Sequence, residues 1–219
     1  MERRRRSAAV VALVLLVATS GCMGFLSGPI TFEANKATES QQALQQTNYE
    51  EENVSQSVIE RKFSAAGQTK TVKVTNWVAQ YHRTVSVPVL GEREAAVFVL
   101  FSTPKVTVAG QGPFNPVADY NNEELVQLVQ QQYKGLKDVQ QVGNYSATML
   151  GKETDVGKFS AKATFKNGQS VDVYVHVTKV EHGDDYVVAV AVHPQNIDEQ
   201  QKILRLLEGA QHATNSSSS

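Results

Sequence analysis

The sequence predicts a single α+β domain, an antiparallel β-sheet covered by two or three helices. Three observations predict it. Two late stretches, Phe159 to Phe165 and Val171 to Val177, alternate apolar and polar residues with period two, as half-buried strands do. Two segments carry helix punctuation: Asn121 with Glu124 and then Gly135, and Asn196 with Glu199 and then Gly209. Tight turns between strands demand antiparallel pairing, and amphipathic helices must bury their stripes on a sheet face.

Each element follows in order. Glu33 to Thr47 is predicted as a short helix with Ala37 and Leu44 on one face. Strands Val58 to Ser64 and Thr69 to Tyr81 flank the turn composition Ala65-Ala66-Gly67-Gln68. Val85 to Leu90 contains Pro88 and suits a sheet edge. Ala95 to Phe101 is apolar throughout and β-branched or aromatic in most positions, as a central strand should be. Pro104 to Tyr120 contains Gly110, Gly112, Pro113 and Pro116 and reads as a long loop. The helix after it buries Leu125, Leu128, Val129, Gln132 and Leu136 at helical spacing.

The late strands raise a register question. A two-residue turn at Asn167-Gly168 would point the two apolar rows in opposite directions. A three-residue loop, Lys166-Asn167-Gly168 with Gly168 left-handed, puts both rows on one face and is preferred. His182-Gly183-Asp184-Asp185 then turns into Tyr186 to Val192, a second apolar central strand. In the final helix, capped by Asn196, Ile203, Leu204 and Leu207 form the buried stripe.

The N-terminus directs the chain out of the cytoplasm. Arg3 to Arg6 precede an apolar run from Ala8 to Ala18, then Thr19-Ser20-Gly21-Cys22. A basic start, a short apolar middle and small residues make a secretory signal, and a cysteine just after them makes it a lipoprotein signal. The run is shorter than the roughly 20 residues a bilayer span needs. The expected organisation is a signal over 1–21, lipidation of Cys22, a tether over 22–32, one domain over 33–212 and a disordered tail over 213–219. One cysteine cannot make an internal disulfide, so the core alone must hold the fold. Net charge is −1 for the whole chain and −4 once residues 1–21 are removed, which excludes the basic face of a nucleic-acid binder. Sequons at Asn53, Asn144 and Asn215 are glycosylation acceptors in an exported chain.

Chemistry is sparse. His176 and His182 share a strand face but lie roughly 20 Å apart along it, too far for one metal. No cysteine, His-x-x-x-His pair or acidic loop accompanies them, so the histidines are read as surface or strand-end residues and no metal or cofactor is expected. Glu181 to Asp185 reads as solvated turn chemistry. Trp77, Ala79 and Tyr81 read as core packing. No nucleophile elbow, phosphate loop or dinucleotide fingerprint is present, and no enzyme is expected. The candidate binding loop is 104–120, with Phe114, Asn115 and Tyr120 able to bury area or hydrogen-bond.

Several short stretches carry a resemblance. Thr75-Asn76-Trp77-Val78, Phe101 to Val106, Phe114-Asn115-Pro116-Val117 and Val180 to Asp185 resemble a group of haloarchaeal cell-surface lipoproteins known only as a domain of unknown function. The order of elements is similar to the PsbP-like fold. The resemblance implies lipidation at Cys22 and anchoring on the outer face of the cell membrane, and it implies no activity. The expected role is a non-enzymatic surface domain that binds an envelope partner or a ligand. The alternative is a small-molecule or metal-binding accessory protein of an envelope transport system. A Cys22→Ser chain is expected to stay unprocessed and to lose membrane retention. Mass spectrometry of the mature N-terminal peptide checks this, and an unlipidated wild-type Cys22 would refute it.

Overall fold

A computed structural model describes residues 29–65, 68–87, 90–106, 116–133, 135–165 and 168–213. Cys22, Phe114, Asn115, Asn215 and the 214–219 tail lie outside the described residues. The chain forms two compact units. Met1–Thr31 with Glu60–Lys73 make the first, and Phe32–Ile59 with Val74–Ser219 make the second. In the first, the described residues belong to strand segments, with Val72 buried. All packing discussed below lies in the second.

The elements run β1 (Ile30–Glu33), β2 (Ala37–Glu39), α1 (Gln41–Thr47), β3 (Glu50–Ala65), β4 (Gln68–Val87), β5 (Gly91–Pro104), a 3-10 turn (Pro116–Ala118), α2 (Asn122–Gln132), β6 (Leu136–Met149), β7 (Lys152–Thr164), β8 (Ser170–His182), β9 (Asp185–Pro194), α3 (Gln200–Gly209) and β10 (Ala210–His212). Among the described residues one sheet of eight strands has the order β1-β4-β5-β9-β8-β7-β6, with β3 also paired to β4, and β10 pairs β2 in a small second sheet. The protein is therefore mostly β. This overturns the expected helix-covered α+β sheet with its PsbP-like order: the helices are short, and strands take most of the described chain.

The corrections have local causes. The predicted helix 33–47 is strand in its first part, because Ala37–Glu39 pairs with Ala210–His212, a partner far away in sequence. Helix forms only from Gln41, where Ser40 Oγ accepts from Ala43 N at 3.2 Å. Of the predicted edge strand 85–90, Val85 to Val87 is instead the end of β4, with Val87 paired to Gly91 of β5; residues 88 and 89 lie outside the described residues. Strand β6 was not predicted at all. It joins β7 through Leu150 and Gly151, at φ 52° and 72°, a two-residue left-handed turn. Leucine there gives no turn signal in sequence.

The hairpin register is as expected. Phe159, Ala161 and Ala163 lie opposite Val175, Val173 and Val171, and Phe165 N donates to Gln169 O at 2.8 Å. Gly168, at φ 84°, supplies the left-handed residue of the three-residue loop; Lys166 and Asn167 lie outside the described residues. Ala95 to Phe101 is central, between β4 and β9.

Two apolar clusters form, one on each face of the sheet. One joins Ala79, Tyr81, Phe98, Leu100, Ala189 and Ala191 to Leu44 of α1 and to Ile203, Leu206 and Leu207 of α3. The other joins Phe159, Val173, Val175 and Val177 to Leu125 and Val126 of α2. The α2 capping box is as expected: Glu124 N donates to Asn121 Oδ1, and Asn121 N donates to Glu124 Oε2, both at 2.9 Å. In α3 the expectation fails in detail. Glu199 occupies the cap position, Leu206 is fully buried and Leu204 only half. Gly209 admits α1 closely, since a β-carbon there would come within 2.3 Å of Ala43 Cβ.

Leu206→Ala is accordingly expected to cost about 2–5 kcal/mol of stability through transfer and cavity terms. Leu204→Ala should cost clearly less. Thermal or denaturant unfolding of the two variants checks this, and equal losses would refute the assigned helix face.

Candidate functional site

The sequence treats the even-numbered row of β8 as polar and outward. In the fold, α3 packs over part of that face, so His176 and Thr178 are buried while Asp172 stays exposed. His176 is 2% exposed and His193 is 3% exposed, which corrects their reading as surface residues; His193 does stand at the end of β9, before Pro194, as expected. Cross-strand register explains the pairing. Tyr174 lies opposite His193 and His176 opposite Ala191, so the two histidines are diagonal neighbours on one face. Their rings stack with centroids 5.2 Å apart and Nε2 atoms 3.1 Å apart.

The surrounding contacts set the proton positions. Pro194 O can only accept, so His193 Nδ1, 2.9 Å away, carries a proton and donates. In the neutral ring His193 Nε2 is then an acceptor, and His176 Nε2–H donates to it. His176 Nδ1 is left to accept from Tyr145 Oη–H at 2.9 Å. The Gln200 side chain of α3 opposes the rise that burial gives the Tyr145 phenol. The result is a one-way chain, Tyr145 to His176 to His193 to Pro194 O. Burial holds the His176 imidazole down at about 3, helped by His193 and by the ammonium of Lys158. Burial also lowers His193 and raises the Tyr145 phenol. Every member of the chain is therefore neutral near pH 7.

His193 borders a cavity of about 360 Å³. Lys158 and Tyr174 form one wall, with the Lys158 ammonium 4.1 Å from the Tyr174 ring centroid. The 195–198 turn and Gln200 form the other. That second wall is pinned by Glu199, whose carboxylate is 1% exposed and bound by the Arg83 guanidinium; Tyr49 Oη also donates to it at 3.3 Å. The cavity is thus bounded by residues from β7, β8, β9 and the start of α3.

The family can now be placed. Residues 36–211 match DUF6517, a domain of unknown function. The chain belongs to the DUF6517 family. No curated protein matches it. Among the described residues no helix is long and apolar enough to cross a membrane.

Other sequence-selected residues lie elsewhere in the DUF6517 domain. Asn53 and Asn144 are exposed on β3 and β6. Tyr120 is half-buried against the α2 cluster, on the opposite sheet face from the cavity. Lys179 Nζ donates to the carbonyls of Val117 at 2.6 Å, Ala118 at 2.7 Å and Tyr120 at 3.0 Å, which pins the end of the 104–120 segment. Ala79 and Tyr81 are fully buried, as the core reading expects, whereas Trp77 is only half-buried and belongs to neither cluster.

The turn at 181–185 is not merely solvated. Asp185 is 1% exposed, and its Oδ2 accepts from Asn35 N at 2.8 Å, Asn35 Nδ2 at 2.9 Å and His212 Nε2 at 3.0 Å. His212 Nδ1 meets His182 Nδ1 at 2.9 Å. This cluster ties β10 to β9 and is separate from the cavity. Sequence reasoning missed Tyr145 and Gln200 because β6 carries no clear period and Gln200 gains its role only when α3 docks. Lys158, just before the alternating run of β7, carries no signal of its own.

The pH dependence has a definite sign. His176 is depressed in the folded state, so its contribution is present above the unfolded value of about 6.5 and is lost as pH falls from there toward about 3. His193 adds in the same direction. His176→Gln should therefore flatten the fall in melting temperature between about pH 6.5 and 5. An unchanged slope in the variant would show that His176 is not held neutral.

Proposed function

We propose that this DUF6517 protein is a lipid-anchored domain on the outer face of the cell membrane, of the haloarchaeal lipoprotein kind, that captures a small polar ligand without transforming it. The anchor rests on Arg3 to Arg6, the apolar run and Cys22. The binding role rests on one observation: a concave, polar cavity of about 360 Å³ whose walls are held by buried contacts. A site fixed in advance loses less freedom on binding. Concavity favours a small ligand over a flat protein contact.

A binding role is favoured over catalysis by the state of His193. Both its nitrogens are committed, Nδ1 to Pro194 O and Nε2 to His176, so neither faces the cavity ready to move a proton. Capture at the membrane surface also suits an accessory role in envelope transport.

The test uses the full chain purified from its own membranes in mild detergent. Native mass spectrometry is expected to find a co-purified small polar molecule, or a polar-metabolite screen to raise the melting temperature. Tyr174→Ala should remove either signal while leaving the unliganded melting temperature within a few degrees. An empty protein that no small polar compound stabilises would overturn the proposal.

A further inference from the structure

We infer that the ligand of the Tyr174–His193 cavity is a neutral sugar, either free or at the end of a glycan; this rests on the cavity being a ligand site. The argument starts from what the lining residues have left to offer. Gln195 Nε2 donates to Val173 O at 3.0 Å, and Asn196 Nδ2 donates to Ser86 O at 3.3 Å. Both partners are carbonyls, which only accept, so the amide nitrogens are identified, and each amide keeps its oxygen and its second N–H. The Gln200 amide, also at the wall, brings an acceptor and donors of the same kind. Asp198 Oδ1 accepts from Gln200 N at 3.0 Å, leaving Oδ2. Three amides and one carboxylate oxygen thus line one side, offering acceptors and N–H donors together. A ligand that matches them must both donate and accept at several points, as hydroxyl groups do, since an unmatched polar group is costly.

Charge and shape narrow the class. Asp198 is the only anion and Lys158 the only cation among the lining residues, and His193 is neutral, so the cavity has no net charge to attract a polyanion or a polyamine. The opposite wall is the Tyr174 ring, with the Lys158 ammonium over it. A pyranose has hydroxyl donors around its rim and C–H groups across its faces. Those C–H groups carry partial positive charge and are drawn to an aromatic face as an ammonium is. When a sugar face takes the ring, Lys158 on its flexible stem can turn its three N–H donors to the sugar oxygens. The volume lies near the lower end of the roughly 300–1,000 Å³ range of small-molecule sites, suiting one or two sugar rings.

Isothermal titration of the full chain, in a polyoxyethylene detergent that carries no sugar, tests this. One arm uses free glucose, galactose, mannose and maltose. A second uses a glycopeptide bearing a neutral oligosaccharide, and the tighter arm identifies the source. Glutamate and spermidine are the charged comparisons. At least one neutral sugar should saturate. Tyr174→Ala and Gln195→Leu should weaken it about ten-fold or more, and Tyr174→Phe and Lys158→Gln by less than about three-fold. Tyr174→Phe keeps the ring should the alanine variant fail to fold. Saturation by glutamate or spermidine with no response to any sugar would overturn the sugar and leave the ligand site standing. Silence toward every compound would overturn both.

Discussion

Glu199 is the constraint on which the rest of this half of the molecule depends. Its carboxylate is almost wholly buried, and the Arg83 guanidinium of β4 binds it from the sheet, with Tyr49 donating beside it. A buried charge without a partner is strongly unfavourable, so the pair holds the start of α3 over the sheet. From that point the helix lays Ile203, Leu206 and Leu207 into the core. The same placement sets Asp198 and Gln200, its immediate neighbours, at the cavity wall. Removing Arg83 would leave the buried carboxylate only the longer contact to Lys202 at 3.6 Å and the Tyr49 hydroxyl, weakening the hold on α3 and on the cavity wall together.

The chain from Tyr145 to Pro194 O solves a related problem with neutral groups. A phenol and two imidazoles in a mostly apolar interior would each cost free energy if unmatched. Here each donates to the next and the last donates to a backbone carbonyl, so the series is satisfied without a buried charge. Direction is imposed from the Pro194 end, because a carbonyl cannot donate. Such a chain also narrows the positions open to His193, and a site bordered by it is held in shape before a ligand arrives.

Much of the strand pattern was legible because period two is local. The Phe159 to Phe165 and Val171 to Val177 rows predict their own register, and the positive φ of Gly168 agrees with the loop that register needs. The capping box of α2 was legible for the same reason: both partners lie within three residues. Residues 37–39 were misassigned because their partners are at 210–212. The fold class was overestimated in helix because β6 hides behind a Leu150-Gly151 turn and an irregular sequence.

The sequence by itself determined the antiparallel hairpin core, the capping box that starts α2 and the absence of any recognisable catalytic motif. Those are properties of neighbouring residues, or of residue types at short spacing. Only the tertiary structure decided where the histidines belong. His176 and His193 are 17 residues apart, and His182 and His212 are 30 apart. Side-chain parity places a residue on a face, but whether that face meets water or a helix is set by α3, which docks from the far end of the chain. An outward polar row thereby became a buried relay, and a cavity formed where no motif had marked one.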